Sequence, residues 1–204
     1  MNLPNLSSWL GPVLDLGVIW AAELARYLRR GGTSLYVGAG VAEIPAMLVE
    51  ALDLGREVVA CNLRSEECAI VNAALKANGL LLRIVDEDAS AIVGGFDHVS
   101  LVSVLCDPQT YPLVSEVTYG RVHPVHVDAA TFATEQAAIN QLVAKVLARA
   151  HVPGLVTTTV EEVPWILAWA EQQGIEVIAD DNMLDTAIVG DPIGFLQLAR
   201  PTDS

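Results

Sequence analysis

Short apolar runs recur along the chain and are separated by polar or glycine-rich stretches. Six of these runs have the length of buried strands, namely residues 35–37, 57–61, 81–85, 96–106, 154–159 and 175–179. In the intervening segments apolar residues return every three or four positions, most clearly at Ile139, Leu142, Val143, Val146 and Leu147. This alternation predicts a parallel sheet with helices on both faces.

The two ends of the chain depart from this repeat. Residues 5–30 predict a helical segment, with Pro12 tolerated near its start and Gly31-Gly32 as its stop. At the other end a short polar loop, with Asp180-Asp181-Asn182 as a turn, leads to a seventh strand at 194–199. Because this stretch is too short for a packed helix, we expect the seventh strand to run antiparallel.

A glycine turn follows the first predicted strand. Leu35-Tyr36-Val37 ends in Gly38-Ala39-Gly40, and a helix-compatible run begins at Ile44. Glycine has no Cβ, so this turn can be tight and a ligand can approach the backbone. The unpaired N–H groups of the following helix would point at that ligand. The pattern predicts a nucleotide-like ligand against the turn.

Polar residues also follow the next three strands. Asn62-Leu63 ends the second, Asp86 to Ala89 the third, and Cys106-Asp107 the fourth, which opens at Phe96-Asp97. Ligands of open α/β sheets bind beyond the carboxyl ends of the strands. We therefore expect these positions to converge on one site.

This order resembles the class I S-adenosylmethionine (SAM) dependent methyltransferases over most of residues 31–200. The resemblance implies one Rossmann-like α/β domain, with a seven-stranded, mostly parallel sheet, helices on both faces and a C-terminal antiparallel strand. The expected parts are a helical segment at 1–32 that could cover the pocket, the SAM-binding domain at 33–200 and a tail at 201–204. SAM is the implied cofactor, and the implied cofactor-binding residues are Tyr36, Gly38, Ala39, Gly40, Asn62, Leu63, Asp88 and Ala89, with Asp86 as a rival to Asp88.

Several positions depart from the family pattern. Tyr36 replaces an acidic residue, Ala42 replaces the third glycine, and Asn62 replaces the ribose-binding carboxylate. An amide lacks the charge-assisted bond to ribose, so Asn62→Asp is expected to tighten SAM binding by roughly 1 kcal/mol. Glu43 stands where a dinucleotide fold needs glycine, and its carboxylate would repel pyrophosphate. An NAD-dependent activity is therefore disfavoured.

Methyl transfer mainly needs alignment, and a base is required only when the acceptor loses a proton. Asp107 and His126 are the candidate catalytic residues, and Cys106, Asp107, Tyr111 and His123 the candidate acceptor contacts. The alternative for Asp107-Pro108 is a structural turn. His123, His126 and Asp128 also suggest a metal site, but short histidine patterns are common and we predict none.

The composition limits the kinds of partner that the protein is expected to bind. The 204 residues are 52% apolar and 18% charged, with a net charge of −14 and three irregularly spaced cysteines. So negative a chain disfavours nucleic acid as a partner, and the polar interruptions disfavour a membrane span. An odd, irregular set of cysteines indicates reduced thiols and a cytoplasmic protein.

The sequence therefore predicts a cytoplasmic SAM-dependent methyltransferase that acts on a small-molecule acceptor. Two alternatives stay open. The altered residues at positions 36, 42 and 62 also fit a non-catalytic methyltransferase-fold subunit, in a homo-oligomer or with a partner protein. The second alternative is an enzyme that transfers another part of SAM, such as an aminopropyl-type group.

Overall fold

Seven strands form one sheet with helices against both faces. The computed structural model describes residues 6–123, 127–185 and 191–201. The helices are α1 (Leu6–Tyr27), α2 (Ile44–Leu48), α3 (Ser65–Ala77), α4 (Pro112–Thr118), α5 (Ala129–Leu147) and α6 (Val163–Gln173). The strands are β1 (Thr33–Val37), β2 (Glu57–Asn62), β3 (Ile84–Asp86), β4 (Phe96–Leu101), β5 (Ala150–Thr159), β6 (Glu176–Ala179) and β7 (Ile193–Ala199).

The strand order is β3-β2-β1-β4-β5-β7-β6. Strands β1 to β5 pair in parallel, whereas β7 lies antiparallel between β5 and β6. The predicted fold class, including the antiparallel C-terminal strand, is confirmed.

Two apolar layers cover the sheet. One contains buried residues of α1, α2 and α3, among them Trp20 and Met47. The other contains buried residues of α4, α5 and α6, among them Val143 and Ile166. Within the described chain, no helix is both long and apolar enough to cross a membrane.

Two strands are shorter than the apolar runs that predicted them. β3 begins at Ile84 because Asn72 of α3 bonds both the N–H and the carbonyl of Ile84, at 2.9 and 2.7 Å, whereas Leu81 lies fully exposed. β4 ends at Leu101 rather than Cys106. Ser103 has a φ of 56°, which an extended strand does not allow.

A buried polar network lies under β1, on the side of α1 and α2. The carboxylate of Glu50 accepts hydrogen bonds from Tyr36 Oη at 2.7 Å, His98 Nδ1 at 2.8 Å and Arg56 Nε at 3.0 Å. It also accepts one from the Ser34 hydroxyl. Burial would raise the pKa of Glu50, but these partners, His98 foremost, lower it to about 2. The network is charged and satisfied inside the core.

Candidate functional site

A cleft of about 730 Å³ opens at the carboxyl ends of the strands. Its walls come from the loops after β1, β2, β3 and β4 and from one face of α5. In the sheet β1 stands between β2 and β4, and the strand order reverses there, because β2 and β3 lie to one side and β4 and β5 to the other. Such a switch point leaves a crevice in which ligands of open α/β sheets bind. The volume suits a nucleoside-sized ligand.

The predicted glycine turn forms the floor of this cleft. Gly38 has a φ of 68°, and a Cβ there would lie 2.9 Å from Val104 Cγ2. Gly40 does not have a left-handed backbone, and a Cβ there would meet nothing closer than a Glu43 carboxylate oxygen at 3.5 Å. Gly38 therefore serves the turn, whereas Gly40 leaves room in the cleft.

Glu43 satisfies the turn from within the chain. Its Oε2 accepts the N–H of Gly40 at 2.7 Å, and burial raises the pKa of its carboxyl group. The carboxylate also lines the cleft. An anionic ligand would meet a negative charge where the turn would otherwise offer a free donor, so this floor suits a neutral or cationic ligand group.

Asn62 ties two walls of the cleft together. Its Nδ2 donates to the carbonyl of Ala39 at 2.9 Å, and its Oδ1 accepts the N–H of Arg64 at 2.9 Å. Ala39 itself is buried, and Asn62 is only 8% exposed. Asn62 lines the cleft as predicted, but its amide already holds the glycine turn to the loop after β2.

The loop after β3 brings Asp88, rather than Asp86, into the cleft wall. Asp88, Ala89 and the exposed Leu63 line the cleft, whereas Asp86 does not. Asp86 is the last residue of β3 and pairs in register with Asn62. The carboxylate of Asp88 accepts the N–H of Ser90 at 2.7 Å, which leaves its other oxygen for a ligand.

Asp107 forms an ion pair across the cleft. Arg64 Nη2 lies 3.3 and 3.2 Å from its two carboxylate oxygens. The same carboxylate accepts the Thr110 hydroxyl at 2.6 Å and the N–H of Gln109 at 3.3 Å. Arg64 follows β2 and Asp107 follows β4, so the pair bridges loops on either side of the turn after β1. Asp107 is thus a turn residue that also lines the cleft, and its catalytic and acceptor-binding roles stay predictions.

Tyr111 stands beside Asp107 in the cleft wall. Burial, followed by the charges of Asp88, Asp107 and Glu135, raises the pKa of its phenol. Within the described residues its hydroxyl has no hydrogen-bond partner, and it can therefore meet a ligand as a donor.

The structure separates four predicted residues from this group. Ala39 is buried between the two glycines and does not line the cleft. Tyr36 is fully buried under the sheet, because alternate side chains of β1 face opposite sides and its hydroxyl is bound by Glu50. This corrects its assignment to the cofactor site. Cys106 is buried outside the cleft, with burial raising the pKa of its thiol to about 11. His123 is exposed and lies near Arg121 and Phe132, away from the cleft lining.

His126 lies outside the described residues, so its predicted catalytic role stays a prediction. Asp128, its possible co-ligand, caps α5 by accepting the N–H of Thr131 at 2.7 Å. Across the described ranges no group of three His, Cys, Asp or Glu side chains is placed to hold a metal ion.

Sequence reasoning missed two features that shape the cleft. Arg64 is a charged residue just before a helix, a common pattern that does not reveal its partner 43 positions away. α5 turns one of its faces toward the cleft, so that Ala138, Gln141 and Lys145 line it. The helical period of α5 predicts its buried side but gives no sign that the neighbouring face borders a cavity.

Comparisons place this architecture among known folds. No protein-family model matches the sequence, and no curated protein sequence matches it significantly. Magnesium protoporphyrin IX methyltransferase from Synechocystis PCC 6803, with bound SAM, matches over 98% of this chain and 86% of its own, with 13% identity and a TM-score of 0.59.

Two further solved structures match similarly. Ribosomal protein L11 methylase from Lactobacillus delbrueckii subsp. bulgaricus covers 93% of this chain and 79% of its own, at 13% identity and a TM-score of 0.53. A SAM-dependent O-methyltransferase from Thermotoga maritima covers 100% and 69%, at 10% identity and a TM-score of 0.52. Identities this low show the fold alone, which is the class I SAM-dependent methyltransferase fold.

Proposed function

We propose that this chain, whose fold is that of the class I SAM-dependent methyltransferases, is itself a SAM-dependent methyltransferase acting on a small-molecule acceptor. The observation that supports this most is the cleft at the β1/β4 switch point. Gly38, Gly40, Asn62 and Asp88, which the sequence predicts as cofactor contacts, all line it. The buried free cysteines suit a cytoplasmic location.

The residues present fit the cofactor. Gly40 leaves open the space that a side chain would fill, and Glu43 offers a carboxylate to a cationic group. Asn62 and Asp88 each keep hydrogen-bonding capacity for hydroxyl or amino groups. SAM, when bound, supplies an electrophilic methyl group. Leu63 and Ala89 would contribute apolar contact at the cleft wall.

The acceptor would lie against the wall that carries Asp107 and Tyr111. Asp107 is fixed by Arg64 and the Thr110 hydroxyl, so it would orient a donor group of the acceptor rather than move toward it. The Tyr111 hydroxyl can donate to the acceptor, and its ring can stack on a planar group. His126 remains a candidate base. Five carboxylates and two basic groups line the cleft, which favours a neutral or cationic acceptor.

Isothermal titration with S-adenosylhomocysteine, the product form of the cofactor, tests the proposal. We expect saturable binding of one ligand per chain, and competition between S-adenosylhomocysteine and SAM for one site. A folded sample that shows no heat at millimolar ligand would contradict the cofactor assignment.

A non-catalytic subunit with the same fold is the second candidate. The observation that favours it is that Asn62, Glu43 and Asp107 already bind other parts of the chain. Purification distinguishes the two candidates. Adenine absorbance that accompanies the purified protein supports the enzyme, whereas a stoichiometric protein that accompanies it without nucleotide supports the subunit.

A further inference from the structure

Glu162 is a fully buried carboxylate at the start of α6. Its Oε1 accepts the backbone N–H groups of Leu105 at 2.5 Å and of Cys106 at 3.2 Å. Its Oε2 accepts the hydroxyl of Thr158, in β5, at 3.1 Å. One side chain thus joins the start of α6 and the end of β5 to the loop after β4.

The loop that Glu162 holds is a wall of the cleft. It runs from Val102 to Tyr111, and Val104 packs directly over the glycine turn at Gly38. Ser103, which lines the cleft, has a φ of 56°. A residue without glycine's freedom keeps such a conformation only when its surroundings impose it. The bonds from Glu162 to Leu105 and Cys106, two and three residues after Ser103, supply that constraint.

We propose that Glu162 is a positioning residue, whose ionised carboxylate holds the loop between β4 and α4 in the shape that forms the cleft wall. Adding a proton to Glu162 then changes this wall and weakens ligand binding. That Glu162 holds the loop follows from its hydrogen bonds and burial. That its protonation weakens ligand binding rests on the proposed function.

The chemistry of the carboxyl group explains the dependence. An ionised carboxylate is an acceptor at both oxygens, whereas a protonated one has become a donor at one of them. Burial raises the pKa of Glu162 to about 7, against the hydrogen bonds from Leu105 and Cys106 that lower it. The proton is therefore exchanged close to neutral pH.

The other titratable groups near Glu162 are Cys106 and Tyr119, together with the carboxyl groups of Glu161 and Asp191. Burial raises the pKa of both Cys106, to about 11, and Tyr119. Neither should lose its proton in the range where Glu162 does.

Two substitutions separate the charge from the hydrogen bonds. Glu162→Gln imitates the protonated acid, because its amide has one accepting end and one donating end, and it does not titrate. In Glu162→Ala the two N–H groups lose their partner. Glu171→Gln, on the exposed side of α6, is the matched control.

Amide NMR spectra of the ligand-free protein between about pH 5.5 and 8.5 test the wall directly. We expect the resonances of Leu105, Cys106, Ser103 and Val104 to move together, with a midpoint near the pKa of about 7. They should move equally in Glu171→Gln and stay constant in Glu162→Gln. Constant resonances in the wild type, or equal movement in Glu162→Gln, would overturn the proposal.

Titration with S-adenosylhomocysteine over the same range tests the ligand. Wild-type affinity should fall as pH drops below 7, by up to tenfold per unit. Glu162→Gln should bind at the weaker, low-pH level of the wild type, with little pH dependence. Glu162→Ala should bind weakly throughout. A pH dependence that survives in Glu162→Gln would refute the coupling. Absence of binding at every pH would instead refute the cofactor assignment, while the NMR result still decides the role of Glu162.

Discussion

At the scale of single residues, most polar side chains of the cleft already bond to the chain. Glu43 accepts from Gly40, and Asn62 bonds both Ala39 and Arg64. Because these bonds fix the side chains before a ligand arrives, less rotational freedom is lost on binding. A ligand has to use the second lone pair or hydrogen of each group.

Gly40→Val should fold normally and lose ligand. Its backbone is not left-handed and a Cβ meets no close neighbour, so the melting temperature should stay within a few degrees of wild type. The branched side chain fills the floor of the cleft, and affinity for S-adenosylhomocysteine should fall at least about tenfold. Calorimetry of folding and binding measures both quantities.

Gly38→Ala is the matched control for that experiment. With a φ of 68° and Val104 Cγ2 at 2.9 Å from the new Cβ, it should lose about 1 kcal/mol or more of stability. Gly40→Val with wild-type affinity would show that the turn faces no ligand.

Asn62→Asp should destabilise the protein and weaken ligand binding, whereas the sequence predicts tighter SAM binding. The substitution removes the donor to the carbonyl of Ala39 and places a carboxylate oxygen against that carbonyl. We expect a loss of about 1–3 kcal/mol in the free energy of unfolding, measured by urea denaturation. Weaker binding should accompany it because the glycine turn loses an anchor. A more stable variant with tighter binding would restore the ribose-acceptor interpretation.

The site was therefore only partly predictable. Gly38, Gly40, Asn62 and Asp88 lie in the cleft because strand ends and glycine turns are visible in sequence order. The bonds of Asn62 and the burial of Tyr36 depend on neighbours distant in sequence, which no local pattern specifies.

At the scale of helices and strands, the sequence predicts best those helices that end at a glycine. α6 ends at Gly174, which has a φ of 64°, and α3 ends before Asn78-Gly79, so both helices stop at a glycine signal that is visible in the sequence. α4 was missed, although Pro112 stands at its start. It is only seven residues long, and the N–H of Val114 bonds Glu135 of α5 at 2.8 Å, so it depends on tertiary contact.

The packing of α1 on α2 gives a prediction for two glycines of one helix. Gly17 is buried, and a Cβ there would overlap the ring of Pro45, whose own Cβ lies 2.9 Å away. Gly11 is exposed and a Cβ there meets nothing within 4 Å. Gly17→Ala should cost about 1–3 kcal/mol through overpacking. Gly11→Ala should gain about 0.5–1 kcal/mol from helix propensity.

Urea unfolding of both variants makes the comparison. Because both substitutions add the same methyl group to α1, their opposite signs isolate the contact with α2. Equal effects on stability would mean that the two helices do not approach as described.

At the scale of the whole molecule, two buried carboxyl groups make opposite contributions to stability as pH changes. The pKa of Glu50 is lowered from 4.5 to about 2, so its contribution is present above 4.5 and is lost as pH falls toward 2. The pKa of Glu162 is raised from 4.5 to about 7, so its contribution is present below 4.5 and is lost as pH rises toward 7.

Glu162→Gln should therefore flatten the pH dependence of the unfolding free energy between 4.5 and 7. The contribution removed is on the order of 3 kcal/mol, because each pKa unit corresponds to about 1.4 kcal/mol. The decline below 4.5, to which Glu50 contributes, should persist in this variant. Urea denaturation at a series of pH values measures the unfolding free energy in both pH ranges. An unchanged slope between 4.5 and 7 would show that Glu162 titrates at its ordinary pKa.

The position of β7 has a consequence for the time at which the protein can fold. β7 is made after β6 but lies between β5 and β6, so β6 has no partner strand in the sheet until residues 193–199 exist. A nascent chain that ends at Ala179 exposes the unpaired edge of β5, with its buried residues Val156 and Thr157. Synthesis of the missing residues takes about one to a few seconds. Ribosome pausing between β6 and β7 should therefore prolong exposure of the unpaired backbone groups at the edge of β5 and increase aggregation during synthesis.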